Sequence, residues 1–383
     1  MVLAAGCAPA PGTSLSATAP ATPVAETGPT IAVTGSAPAP ATLPAIEPGP
    51  APTQRFAVQR REITVTRDGR SLRTVILFPA TPGTPPTPGT PPTPGTPPTP
   101  GTPTTSGTAT APRARSTSGA PGPGRPTTPD TSATSDPAAT PDAGRGQTPP
   151  GGFPLVLFSH GLRGSPEAYE PSLRTIAAAG FVVAAPEYPH TSEGAAEYNP
   201  VDLINQPADA SAVITAVLTL SATTGDPLAG HVDSNRIAAM GHSAGGYTTM
   251  GLLSGFRDHR VRAAVVLAGA SLGGSYADPA VPVLFVHGEA DTVVPYAHGR
   301  ATYDYLPWPK AFLTVIDGGH TDFLDRDSRA ATAVTETVVD FLRAMLYGDI
   351  LALARVPTAA TVESVTRFES ALDGSARPPA EAR

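Results

Sequence analysis

From Thr81 to Gly152 the chain runs for about 70 residues without one Val, Ile, Leu, Met, Phe, Tyr or Trp, and a segment with nothing apolar to bury cannot pack a core. The stretch opens with the hexad TPGTPP, which starts at Thr81, Thr87 and Thr93 and decays from Thr99. Residues 1–52 are nearly as poor, mostly Ala, Pro, Thr and Gly. Any packed fold must therefore come from about 245 residues on either side of the insertion, enough for one well-packed domain. The expected organisation is a disordered N-terminal tether over 1–52, a single domain over 53–373 interrupted by a disordered insertion at 81–152, and a disordered tail over 374–383. A structureless loop of that length argues against an element assignment unless it is an insertion. Closure cost grows only with the logarithm of length, so the fold tolerates it.

Periodicity on the two flanks specifies the domain. RFAVQRREITVTRDGRSLRTVILFPA alternates around Asp68-Gly69, which predicts two antiparallel strands near 56–66 and 71–78 joined by a two-residue turn. FPLVLFSHG reads as a buried strand over 154–159. Ser165-Pro166 then opens a helix, with Ser as cap and Pro at the first helical position, and Gly180 closes it. FVVAAPEY is the next strand, and a helix from Pro207 carries Val213, Ile214, Val217 and Leu218 on one stripe. Asn235–Met240 reads as a strand and Tyr247–Leu253 as a helix. Further strands start at Val261, Val281 and Ala311, with a helix over Tyr296–Leu306 between the last two. A long amphipathic helix follows, with Val334, Val338, Phe341, Leu342 and Met345 facing inward. Continuous apolar strands alternating with helices imply an α/β fold, a mostly parallel sheet covered on both faces, whose early edge is antiparallel.

Several function classes are excluded or narrowed by composition. The net charge is −7 and the basic residues are scattered, so nucleic acid has no footprint. No run of 18 apolar residues exists to span a membrane. One cysteine, Cys7, rules out an internal disulfide and any cysteine-based zinc site. MVLAAGCAPA resembles the last residues of a bacterial lipoprotein signal, where a small residue precedes a lipid-modified Cys. That resemblance implies lipidation at Cys7, a membrane tether and export, as a lipoprotein or secreted protein. A chain starting as written, without a basic leader, would instead stay in the cytoplasm.

The chemistry centres on RIAAMGHSAGGYTTMG. Gly-His-Ser-Ala-Gly falls between a predicted strand and a predicted helix, the setting of the nucleophile elbow of α/β hydrolases, where a sharp turn lifts the serine hydroxyl above the sheet. A serine hydroxyl is a weak nucleophile without a base, and the base needs an orienting acid. This fold asks for the order Ser, acid, His. Of the downstream histidines, His259 reads as solvated, His287 as buried and structural, and His298 as part of a surface helix. His320 stands in DGGHTDF on a Gly-rich loop after the last strand. Asp291, in HGEADTVVP, leaves the preceding strand and is the expected acid, with Glu289 and Asp317 as rivals. Ala244 supplies one oxyanion donor. Leu162, in SHGLRG, is the choice for the other, with Gly161 and Arg163 as alternatives. His160 and His242 read as structural.

LFSHGLRGS, GFVVAAPEYPHT, QPADASAVITAVL, VDSNRIAAMGHSAGG, VPVLFVHGEADTVVP and GGHTDF occur in order over about 155–325. The series resembles the α/β hydrolases grouped with platelet-activating-factor acetylhydrolases and predicted dienelactone hydrolases, close to bacterial lipases and cutinase-like polyesterases. The resemblance implies a serine carboxylic-ester hydrolase without a cofactor or metal, acting on small or lipid-type esters through Ser243, Asp291 and His320, and it supports Leu162 and Ala244 as oxyanion donors. True dienelactone hydrolases use a cysteine nucleophile, which the chain lacks here. Polyesterases usually carry an aromatic where Leu162 stands, so a polymer substrate is the alternative. A serine peptidase or acyltransferase would share the triad, and a non-catalytic binding protein on the same fold is the alternative of another class.

Overall fold

The computed structural model describes residues 29–33, 45–47, 49–81, 147–325 and 327–373. Cys7, the hexad repeats beyond Thr81 and the tail 374–383 lie outside the described residues. Among them, strands run over Thr30–Ala32 (β1), Val58–Arg67 (β2), Arg70–Pro79 (β3), Phe153–Ser159 (β4), Val182–Pro186 (β5), Val232–His242 (β6), Val261–Leu267 (β7), Val283–Gly288 (β8), Lys310–Val315 (β9) and Thr366–Ala371 (β10). Helices run over Pro166–Ala178 (α1), Gln206–Ala222 (α2), Ala244–Leu253 (α3), Tyr296–Tyr305 (α4), Arg329–Tyr347 (α5) and Ile350–Ala360 (α6).

All ten strands form one sheet in the order β1-β2-β3-β5-β4-β6-β7-β8-β9-β10. Strands β5, β4, β6, β7, β8 and β9 are parallel, as continuous apolar runs between helices require. The hairpin β2–β3 is antiparallel, with Val65 opposite Leu72, and its turn takes positive φ at both Asp68 and Gly69 (48° and 78°), the twist that matches paired strands. Side chains alternate across the sheet. Leu155 and Leu157 of β4 join the core under α2, α3 and α4, while Val156 and Phe158 join the core under α1 and α5.

Several expectations need correction. Residues 1–52 are not a tether throughout. Thr30–Ala32 pair in parallel with β2, Ile31 opposite Val65, and Val33 N–H donates to the Thr66 carbonyl at 2.8 Å. The reason is an open edge: β2 presents unpaired backbone groups, and Ile31 and Val33 cover part of the core beside them. Ala51 is buried, its N–H on Asp349 Oδ2 at 3.1 Å. The insertion is anchored at both described ends. Thr81 is buried with its hydroxyl 3.0 Å from His231 Nε2, and Arg236 holds the Pro150 and Gly152 carbonyls at 3.2 and 2.9 Å. Strand β3 neighbours β5 rather than β4, so the connection through the insertion passes over one strand. Ser165 occupies the N-cap of α1 but its side chain makes no capping bond, and α3 starts at Ala244 instead of Tyr247. Helix α6 and strand β10, which pairs antiparallel with β9, extend the fold past the predicted last helix.

Candidate active site

Strand β6 runs directly into Ser243 and α3 leaves it. The turn is possible because two glycines flank the serine. A Cβ on Gly241 would overlap the Gly245 carbonyl, and one on Gly245 would overlap the Ser159 carbonyl of β4. Ser243 itself holds φ 55° and ψ −118°, a conformation costly for a side-chain-bearing residue and common where strain serves function. Its N–H donates to the Leu267 carbonyl at 2.9 Å, which fixes the turn against the end of β7. Ser243 is 9 % exposed. Its Oγ has no hydrogen-bond partner among the described residues.

Asp291 and His320 do meet. His320 Nδ1–H donates to Asp291 Oδ2 at 2.7 Å, and the acid side chain is fully buried. Asp291 Oδ1 accepts the N–H groups of Val293 and Val294 at 2.8 and 3.0 Å, so the carboxylate closes its own loop while it orients the imidazole. The rival acids are engaged elsewhere or turned away. Glu289 accepts from Arg367 at 2.9 Å, and Asp317 is exposed with φ 54°. His287 is buried beside Asp291, donates Nε2–H to the Val294 carbonyl at 2.8 Å, and is held below the ordinary histidine pKa by burial. His298 is exposed on α4.

Around Leu162 the neighbouring N–H groups are already used. Gly161 N–H donates to Tyr169 Oη at 3.3 Å and Arg163 N–H to the Thr191 carbonyl at 2.7 Å. The N–H groups of Leu162 and Ala244 have no acceptor among the described residues, and Ala244 opens a helix whose dipole favours negative charge there. Gly161 packs against the elbow. A Cβ placed on it would sit 3.1 Å from Ser243 Cβ and 3.3 Å from His242 Nδ1, so the loop carrying Leu162 borders the serine directly.

His160 and His242 are both buried and bonded at both nitrogens. His160 Nδ1–H donates to the Gly161 carbonyl at 2.7 Å, and its Nε2 accepts Tyr188 N–H at 3.1 Å. Burial pushes its pKa down. Burial pushes that of His242 down as well, to about 4. Sequence reasoning missed Tyr169, which reads as one more member of the packing face of α1. A buried tyrosine hydroxyl needs a partner, and that requirement was the only signal available.

Two family models and several curated proteins match parts of the chain. A family model described as PET hydrolase-like matches residues 174–351, a span that contains Ser243, Asp291 and His320. One described as platelet-activating factor acetylhydrolase, isoform II, matches 137–210, which contains Leu162. The chain is 31 % identical over 121 residues to cutinase est2 of Thermobifida alba, a match covering 30 % of this chain and 40 % of that protein. It is 36 % identical over 92 residues to cutinase 1 of Thermobifida cellulosilytica, covering 23 % of this chain and 34 % of that one. The matches thus span well under half the length of these curated relatives. The sheet order and the strained serine between strand and helix are those of an α/β-hydrolase-like fold, and the matches show a chain similar to PET hydrolase-like, platelet-activating factor acetylhydrolase and cutinase proteins.

Proposed function

We propose that the protein is a serine carboxylic-ester hydrolase that works through an acyl-enzyme on Ser243. The observation that carries the reading is the bond from His320 Nδ1–H to the buried Asp291 carboxylate, which leaves Nε2 as the basic nitrogen of a neutral imidazole. As Ser243 Oγ attacks the ester carbonyl carbon, His320 Nε2 takes its proton. The unengaged N–H groups of Leu162 and Ala244 hold the tetrahedral oxyanion. His320 then returns the proton to the departing alcohol. Water, deprotonated by the same nitrogen, attacks the acyl-enzyme and releases the acid.

Hydrolysis of p-nitrophenyl acetate, butyrate and octanoate by the full chain, beside Ser243→Ala, tests this. Turnover should fall in the variant by about 10⁴- to 10⁶-fold. Wild-type protein that neither turns over any ester nor takes a fluorophosphonate on Ser243 would remove the enzyme reading in favour of a binding protein.

A second reading, a cutinase-like polyester hydrolase, draws on the PET hydrolase-like match and on exposed apolar side chains. Leu162, Leu272 and Val293, on loops after β4, β7 and β8, are 38 %, 59 % and 66 % exposed. Apolar groups displayed at the strand ends suit an extended hydrophobic ester. Soluble acid released from a polyester film, absent with Ser243→Ala, distinguishes it from an enzyme confined to dissolved esters.

A further inference from the structure

Three loops meet around Ser243, and two side chains that the reaction does not consume join them. The His320 carbonyl can only accept, so the 3.0 Å bond to His242 fixes the proton on His242 Nε2. His242 is neutral at ordinary pH, so its Nδ1 is an acceptor, and the partner at 2.8 Å is the Tyr169 hydroxyl, which must donate. The tyrosine oxygen in turn accepts Gly161 N–H at 3.3 Å. Only one direction satisfies every atom: Gly161 N–H to Tyr169, Tyr169 O–H to His242, and His242 N–H to the backbone of His320. From there His320 Nδ1–H continues to Asp291. Packing supports the chain. The His242 ring lies 4.8 Å from that of His320 and 5.7 Å from that of Tyr169, and Tyr169 rests 4.8 Å from Phe158 on the sheet.

We infer that Tyr169 and His242 are positioning residues, a hydrogen-bonded relay that sets the loop carrying the Leu162 N–H and the loop carrying the His320 base as one unit around Ser243. The inference rests on the ester-hydrolase reading above. The relay works through geometry. If the Tyr169 hydroxyl is lost, His242 Nδ1 has no donor, the His320 carbonyl alone is left to select the Nε2–H tautomer and orient the ring, and the anchor of the His320 loop loosens. Because ground-state binding does not depend on that anchor, the loss falls on kcat.

The test is a set of variants of the full chain: Tyr169→Phe, which removes one oxygen and keeps the ring; His242→Gln, whose amide can still donate at the Nε2 position; His242→Asn, which cannot reach it; and the pair Tyr169→Phe with His242→Asn. Kinetics on p-nitrophenyl butyrate, fluorophosphonate labelling rates and thermal unfolding are measured for each. The relay predicts that kcat falls about 10- to 100-fold in Tyr169→Phe with KM within about twofold, an interaction felt only in the transition state. It predicts at least tenfold more activity in His242→Gln than in His242→Asn, and a double variant no worse than the poorer single one, because both cut one chain. Folded Tyr169→Phe with wild-type kcat overturns the inference. So do losses of activity that track losses of melting temperature across the set, which mean packing alone. If the wild type neither turns over esters nor takes the label, the ester-hydrolase reading fails and the relay with it. A labelled, active wild type with an indifferent Tyr169→Phe sinks only the relay.

Discussion

Two loops border Ser243, and different kinds of bond hold them. The Leu162 loop is tied to the segment after β5 by main chain. Arg163 N–H reaches the Thr191 carbonyl at 2.7 Å, Glu193 N–H reaches the Gly164 carbonyl at 3.1 Å, and Gly164 pairs with Ser192 in a parallel bridge. The His320 loop has main-chain ties at its base, Ile316 N–H on the Val365 carbonyl and Ala290 N–H on the Gly318 carbonyl, both at 2.9 Å, but around His320 itself side chains do the holding: Asp322 on Gly319 N–H, Asp291 on the imidazole and His242 on the His320 carbonyl. The difference suits the roles proposed for the two loops. Oxyanion donors never change charge and are best fixed by groups that cannot titrate. A general base must gain and lose a proton, and its surroundings have to accommodate both states.

The comparison breaks most visibly at Asp291. In Asp291→Asn the amide can keep a carbonyl on Val293 and Val294 but cannot orient the His320 Nδ1–H, so kcat on p-nitrophenyl butyrate should fall by about 10³- to 10⁴-fold with KM little changed. Asp291→Ala should lose that and also leave two N–H groups unpaired, for a further cost of about 1–3 kcal/mol in stability measured by urea unfolding. Equal stability in the two variants would mean that Oδ1 does not close the loop.

Acid tests the same contrast through stability. His160, His242 and His287 all have pKa values depressed by burial. Between the ordinary histidine value near 6.5 and the depressed one, the unfolded chain binds protons that the folded chain refuses. The contribution is therefore complete above about pH 6.5 and is lost as pH falls. For His242, with a folded pKa of about 4, the loss should reach about 2 kcal/mol by pH 5, an order-of-magnitude figure. Denaturant unfolding at pH 7 and pH 5 checks it. His242→Gln should be less acid-sensitive than wild type by about that amount, and an identical drop in both would show that His242 is not the group refusing the proton.

What the sequence displays about this molecule follows from where each signal is local. The hairpin was legible because Asp68-Gly69 announces its turn and the strands alternate beside it. The parallel strands were legible because Val, Leu and Ile run unbroken between helices, and the elbow because Gly241 and Gly245 bracket Ser243. Asp291 and His320 could be nominated from chain order and strand ends, and their side chains are bonded. Strand β1 could not be read, since Thr30–Ala32 lie in an Ala/Pro/Thr-rich stretch and pair only because β2 offers an edge. The placing of β3 beside β5, the fastening of the Leu162 loop to residues 191–193 and the Tyr169–His242 bond are likewise contacts between distant segments, which no local pattern encodes.

The smallest expected effect sharpens the comparison most. Arg163, beside Leu162, lays its guanidinium 3.8 Å above the Tyr198 ring. Beside the Tyr169 hydroxyl on Gly161 N–H, this is another side-chain tie on a loop held mainly by main chain, and an exposed pair of this kind contributes about 0.5–1 kcal/mol. Tyr198→Ala should therefore change kcat by less than about fivefold, because the Thr191, Glu193 and Ser192 bonds remain to hold the Leu162 N–H. Kinetics on p-nitrophenyl butyrate with a parallel melting curve measure it. A loss of several tens of times in kcat, at unchanged melting temperature, would mean that the backbone bonds are not sufficient. The oxyanion loop would then depend on side chains as the His320 loop does, and the division between a fixed donor loop and an adjustable base loop would fall.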